Sequence, residues 1–113
     1  MTKPVEEAVA KASGTAIEHE AFYRAFGDAM GTARKKTKLT QADLAQQIGL
    51  SRPAVVNIEI GRQGVLLHAA VNIANALDVS LESLLEHAQK AARAEEIALL
   101  EQRLKELKGA RQK

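Results

Sequence analysis

The chain has 113 residues, 46% of them hydrophobic but only 3% aromatic, which allows one compact domain with an extension and a core built from aliphatic side chains and alanine. It contains no cysteine, which excludes a disulfide framework, a thiolate metal site and a cysteine nucleophile. The net charge is only +2, yet residues 24–62 hold seven basic side chains against three acidic ones, while residues 1–23 hold two against four. Such a concentrated basic block suits a polyanion-binding surface. No apolar run approaches the roughly 18 to 20 residues of a membrane span, and the first residues lack the apolar stretch of a secretory signal. The expectation is a soluble protein of the cytoplasm.

Residues 1–15 read as an N-terminal arm or short helix, with Val5, Ala8, Val9 and Ala12 on one face and a break at Ser13-Gly14-Thr15. From about Ile17 to Thr37, Phe22, Phe26, Met30 and Ala33 recur at helical spacing and predict a first core helix. Thr40 and Asp43 form the outline of a capping box before a helix that ends at Gly49. Ser51 caps the next helix, whose first turn tolerates Pro53 because first-turn amides have no partner inside a helix. Val55 and Ile58 are predicted to face inward, and Gly61 stops that helix. Leu67, Ala70, Val71, Ala74 and Leu77 mark a fourth helix, followed by a turn at Asp78-Val79-Ser80. A last helix opens at Ser80, turns Leu81, Leu84 and Leu85 inward, and meets no glycine or proline until Gly109. No strand pattern or internal repeat interrupts this all-α reading.

Two short helices, Gln41–Ile48 and Arg52–Glu59, joined through Gly49-Leu50-Ser51, have the local grammar of a helix-turn-helix. Ala45 is placed where the helices cross, and Leu44, Ile48, Leu50, Val55 and Ile58 supply the inner faces. The outer edge of the second helix is then free to enter a major groove.

From about Phe22 to His87 the chain resembles the Cro/C1-type (XRE-family) helix-turn-helix domain of phage repressors and restriction-modification controller proteins. The resemblance is carried by Thr40-Gln41-x-x-Leu44-Ala45, Gly49-Leu50-Ser51, Val55-x-x-Ile58-Glu59-x-Gly61-Arg62 and Ile73-Ala74-x-Ala76-Leu77-x-Val79-Ser80-Leu81-x-x-Leu84-Leu85. It implies a five-helix, lambda-repressor-like domain over residues 16–87, with a helical extension over residues 88–113. It also implies a sequence-specific transcriptional regulator, a repressor on a pseudo-palindromic operator, bacterial or phage-encoded and associated with the nucleoid.

By the same resemblance Gln41 contacts a phosphate and braces the recognition helix, and Ser51 lies near a phosphate. Arg52, Pro53, Ala54 and Val56 take base-facing positions, with Arg52 the one long donor, suited to guanine O6 and N7. Asn57 and Arg62 look like phosphate clamps, with Lys35, Lys36 and Lys38 outside them. Arg34 and Glu59 match an internal salt bridge of some phage repressors. Family members often carry glutamine, serine or threonine where this chain has Pro53 and Ala54, which shifts discrimination toward DNA shape.

In the extension, Ile97, Leu100, Leu104 and Leu107 follow a three-four-three spacing, the a and d positions of two heptads. Upstream, Leu84, Ala88 and Ala91 offer a second, narrower apolar stripe. Together they point to a homodimer held by this helix. The other readings are a helix packed on its own domain, and an antitoxin-type or co-regulator protein whose C-terminal helix binds a different protein. No cofactor or metal is expected: His19, His68 and His87 are far apart, and no Ser-His-Asp set, phosphate loop or paired carboxylates emerge. An enzyme is therefore not expected. Single-stranded RNA recognition lacks the aromatics it needs.

Overall fold

The computed structural model describes residues 18–111; the short helix anticipated within residues 1–15 lies outside them. Five helices follow one another: α1 (His19–Lys36), α2 (Gln41–Ile48), α3 (Arg52–Glu59), α4 (Leu67–Ala76) and α5 (Leu81–Arg111). All regular structure among the described residues is helical.

Four of the five helix starts carry a side-chain cap; Leu66, before α4, offers none. Glu18 caps α1, its carboxylate accepting from the amides of Glu20 (3.1 Å) and Ala21 (2.9 Å). These bonds favour the charged form and hold the Glu18 carboxyl below its usual 4.5. Thr40 and Asp43 complete the predicted capping box before α2, at 3.0 and 3.1 Å. Ser51 Oγ accepts from the Ala54 amide at 3.2 Å, and Ser80 Oγ accepts from the Ser83 amide at 3.0 Å.

The first four helices stop in one and the same way. At each end an amide bonds to the carbonyl five residues back: Leu39 to Arg34, Leu50 to Ala45, Arg62 to Asn57 and Val79 to Ala74. Between them a single residue is left-handed, namely Lys38 (φ 60°), Gly49 (φ 71°), Gly61 (φ 77°) and Asp78 (φ 55°). This is the Schellman arrangement. Two of the four stops use glycine, as expected; Lys38 and Asp78 adopt the conformation without its freedom.

The core joins all five helices. Phe26, Met30, Leu44, Val55, Ile58, Ile73 and Leu77 are almost wholly buried, each stabilising by about 1.5 to 3 kcal/mol relative to exposure. α4 corrects the sequence reading in detail. Ala70, Ala74 and Leu77 point inward with Ile73, whereas Leu67 is 75% exposed and Val71 lies on the outer face with it.

α5 runs antiparallel to α1: Lys36 and Thr37 share a groove with Ser83 and His87, and Arg24 pairs with Glu95. Leu84, Ala88 and Ala92 are buried there, and Ala91 packs beside them. The assignment of Leu84, Ala88 and Ala91 to a dimer surface is thereby corrected. The small side chains of Ala88, Ala91 and Ala92 let α5 close on its own domain, whose packing continues past residue 87 to Ala92. Past the Arg24–Glu95 pair the apolar side chains of the helix are uncovered: Ile97, Leu99, Leu100, Leu104 and Leu107 are all more than half exposed.

Candidate nucleic-acid interface

α3 is clamped at its C-terminal end and open at its N-terminal end. The clamp begins with Gly27, where a Cβ would stand 2.4 Å from the carbonyl oxygens of both Ile58 and Glu59. No side chain fits there, so α1 and the end of α3 meet backbone to backbone. One turn on, Gly31 faces the Glu59 carboxylate, and a further turn on stands Arg34.

Arg34 is 9% exposed and spans three elements. Its Nε donates to Glu59 Oε2 at 2.7 Å and its Nη2 to Oε1 at 3.1 Å, a two-pronged ion pair. Its Nη1 donates to the Leu39 carbonyl at 2.8 Å, tying down the α1–α2 loop. The hydrogen bond to Glu59 raises the already high arginine pKa, so the guanidinium stays charged. Gln41 Nε2 donates to Glu59 Oε1 at 3.1 Å, so one carboxylate gathers α1, α2 and α3. The Arg34–Glu59 pair and the bracing by Gln41 agree with the resemblance. The Leu39 carbonyl and the Gly27 contact were not anticipated, because a glycine inside a helical pattern does not say what approaches it.

The opposite end of α3 makes no such contacts. Ser51, Arg52 and Pro53 are exposed, Ala54, Val56 and Asn57 are half-buried at the edge, and Val55 and Ile58 fill the core behind. Arg52 stands at the tip as the one cationic side chain of α3. Arg62 is exposed just past the α3 stop, lining a depression with His19, Tyr23, Arg24 and Gly64.

The three lysines divide. Lys35 and Lys38 are exposed around the α1–α2 loop. Lys36 lies two residues past Arg34, about 200° around the helix, in the groove with Asp78, Val79 and His87. It is exposed like the other two, on the side of α1 that borders α5. Leu66, 71% exposed, and Leu67 form an uncharged apolar surface where the α3–α4 loop enters α4; sequence periodicity set Leu67 in the helical pattern and did not single out Leu66.

A short helix pinned across α2, with its N-terminal edge presented to solvent, defines a helix-turn-helix domain of the DNA-binding kind. Residues 31–84 match the helix-turn-helix family model HTH_3. The restriction-modification controller protein C.AhdI from Aeromonas hydrophila is 33% identical, over 59% of this chain and 97% of its own, with a TM-score of 0.57. The clp gene regulator ClgR from Corynebacterium glutamicum shares the fold at 22% identity, over 77% of this chain and 93% of its own, with a TM-score of 0.67. The HTH-type transcriptional regulator YqaE of Bacillus subtilis (strain 168), described as uncharacterized, is 40% identical over 60 residues. That match spans 53% of this chain and about half, 52%, of YqaE.

The chain belongs to the helix-turn-helix (HTH_3, XRE-type) family, a family of DNA-binding domains and not of enzymes. Among the described residues no helix is long and apolar enough to cross a membrane.

Proposed function

We propose that this protein is a transcriptional regulator that reads duplex DNA in a sequence-specific way, acting as a repressor on a pseudo-palindromic operator in the bacterial nucleoid. The observation that carries this reading is the asymmetry of α3: Ile58 and Glu59 are locked at one end, while Arg52 and Pro53 stand clear at the other. In this reading Arg52 donates to a guanine edge, and Pro53, Ala54 and Val56 offer apolar contact to thymine methyl groups. Ser51, Asn57 and Arg62, with Lys35 and Lys38 outside them, hold the phosphates. Gln41 adds a phosphate contact to its bond with Glu59.

Two copies joined through the exposed seam Ile97, Leu100, Leu104 and Leu107 would present two α3 helices to one operator. The bareness of that seam also favours a second reading, an antitoxin-type or co-regulator protein whose α5 holds a different protein. Selection of bound duplexes from a random pool at near-physiological salt tests the function. A pseudo-palindrome with half-sites roughly ten base pairs apart is expected; no enrichment by folded protein would overturn it.

A further inference from the structure

The exposed part of α5 carries its charges in two blocks. Glu95, Glu96 and Glu101 come first, then Arg103, Lys105 and Lys108 with Glu106 among them. From Glu95 to Arg111 the helix extends about 24 Å, with Ile97, Leu100, Leu104 and Leu107 along one face. Glu95 is held by Arg24, which marks where α5 leaves the domain.

From this we infer that two copies of the chain pair through these segments in antiparallel orientation, centred near Gln102. The inference rests on the reading of α5 as the dimer element and specifies its geometry. Laid parallel, the helices would set Glu96 against Glu101 and Arg103 against Lys108 of the second copy, twice each, as g-to-e neighbours of a heptad. Carried further back, a parallel seam would set Lys90 against Lys90. Every one of these is a like-charge contact.

Laid antiparallel, Ile97 lies opposite Leu107 and Leu100 opposite Leu104 of the second copy. All four exposed seam residues of each chain are then covered. In an antiparallel pair g lies beside g and e beside e, so Glu96 neighbours Arg103 of the second copy on one side and Glu101 neighbours Lys108 on the other, and the acidic block of each helix lies along the basic block of the other. Only Glu101 and Arg103 meet their own copies near the axis, one like pair on each side. The two helix dipoles also oppose. The two domains then sit at opposite ends of a short rod, and the tip of each tail reaches the point where the other α5 leaves its domain.

The chain has no cysteine, and Leu100 and Leu104 are exposed, so single cysteines there leave the fold intact. Leu100→Cys and Leu104→Cys proteins are oxidised separately and as an equimolar mixture, then resolved without reductant. The antiparallel pair predicts at least a tenfold stronger dimer band in the mixture. Equal residues would be offset by about 6 Å along the axis, on top of an interaxial distance of about 8 to 10 Å, beyond what a disulfide spans. A dimer band from Leu100→Cys alone would overturn the antiparallel geometry and keep the α5 dimer. Sedimentation of the Leu100→Lys/Leu104→Lys protein tests the underlying reading. Loss of the dimer supports it, and a dimer that persists would move the interface to Leu66, Leu67 and Val71, overturning both. A wild-type chain that stays monomeric at all concentrations also overturns both.

Discussion

The Glu59 carboxylate is the residue-scale pivot of the molecule. It accepts from Arg34 twice and from Gln41 once, and it lies where solvent screening is weak. Removing one partner of such a pair strands the other: Arg34→Ala is expected to cost about 3 to 5 kcal/mol in urea unfolding. Replacing both, as Arg34→Met with Glu59→Leu, should recover most of that loss, since well-packed apolar residues often match a buried ion pair. Arg52 is the opposite case, a charge with no structural task. Arg52→Ala should leave the unfolding midpoint unchanged and cost about 1 to 3 kcal/mol of specific DNA binding, relaxing preference at one base pair. Paired competition binding with matched and mismatched duplexes would measure both effects. The Arg34–Glu59 pair was legible from the chain because both residues sit at fixed places in a known pattern. Gly27 was not, because its role is defined by the carbonyls of a helix thirty residues away.

At the scale of the element, starts were easier to read than stops. Thr40, Ser51 and Ser80 announce themselves as caps, and Gly49 and Gly61 announce the ends of α2 and α3. The ends of α1 and α4 are legible near Thr37 and Asp78 but carry no glycine; the left-handed residues there are Lys38, of a type that seldom takes that conformation, and Asp78, of a type that takes it more readily. Lys38→Gly should therefore stabilise the domain by about 0.5 to 1 kcal/mol, despite the wider freedom of the unfolded chain, because it removes a left-handed penalty of about 1 to 2 kcal/mol. Thermal and urea unfolding would check the sign. The caps also set an acid limit. Asp43 is held below its ordinary 3.8, chiefly by the Thr40 amide and then by the Thr40 hydroxyl, and Glu18 below 4.5 by the Ala21 and Glu20 amides. Carboxylates depressed in the folded state contribute fully above their ordinary values and lose that contribution as pH falls through the folded ones. The urea midpoint should thus decline as pH drops below about 4.5, and Asp43→Asn should flatten part of the decline. Arg34, raised rather than lowered, keeps its contribution until the pH reaches the ordinary arginine range and loses it only above that.

For the whole molecule, the five-helix order and the position of α3 followed from periodicity and turn chemistry. What escaped was the division of labour within α5. The apolar stripe at Leu84 and Ala88 and the later one at Ile97 to Leu107 lie on different faces of the helix, and neither announces what covers it. Only the course of α1 decides that the first is covered by its own chain while the second is left open. Because the core closes within one chain, folding and pairing are separable. At a concentration where the wild-type chain is monomeric, Leu100→Lys/Leu104→Lys should leave the melting temperature within about 2 °C of wild type, since positions exposed in the single chain seldom change stability by more than about 0.5 kcal/mol. Operator affinity should fall at least tenfold, the loss expected when two half-sites are no longer bound as a unit. Calorimetry and a gel-shift titration on the same sample would separate the two.

The one-ended clamp on α3 has a bearing on how such proteins diversify. Residues that hold the helix, Gly27, Arg34, Gln41, Ile58 and Glu59, are grouped away from Arg52 and Pro53, which take no part in holding it. Substitutions at the tip are therefore free of the stability losses that restrain change elsewhere in a small domain. A lineage built on this scaffold can exchange one target sequence for another in a few steps, each passing through a folded intermediate, while the anchoring end stays the same.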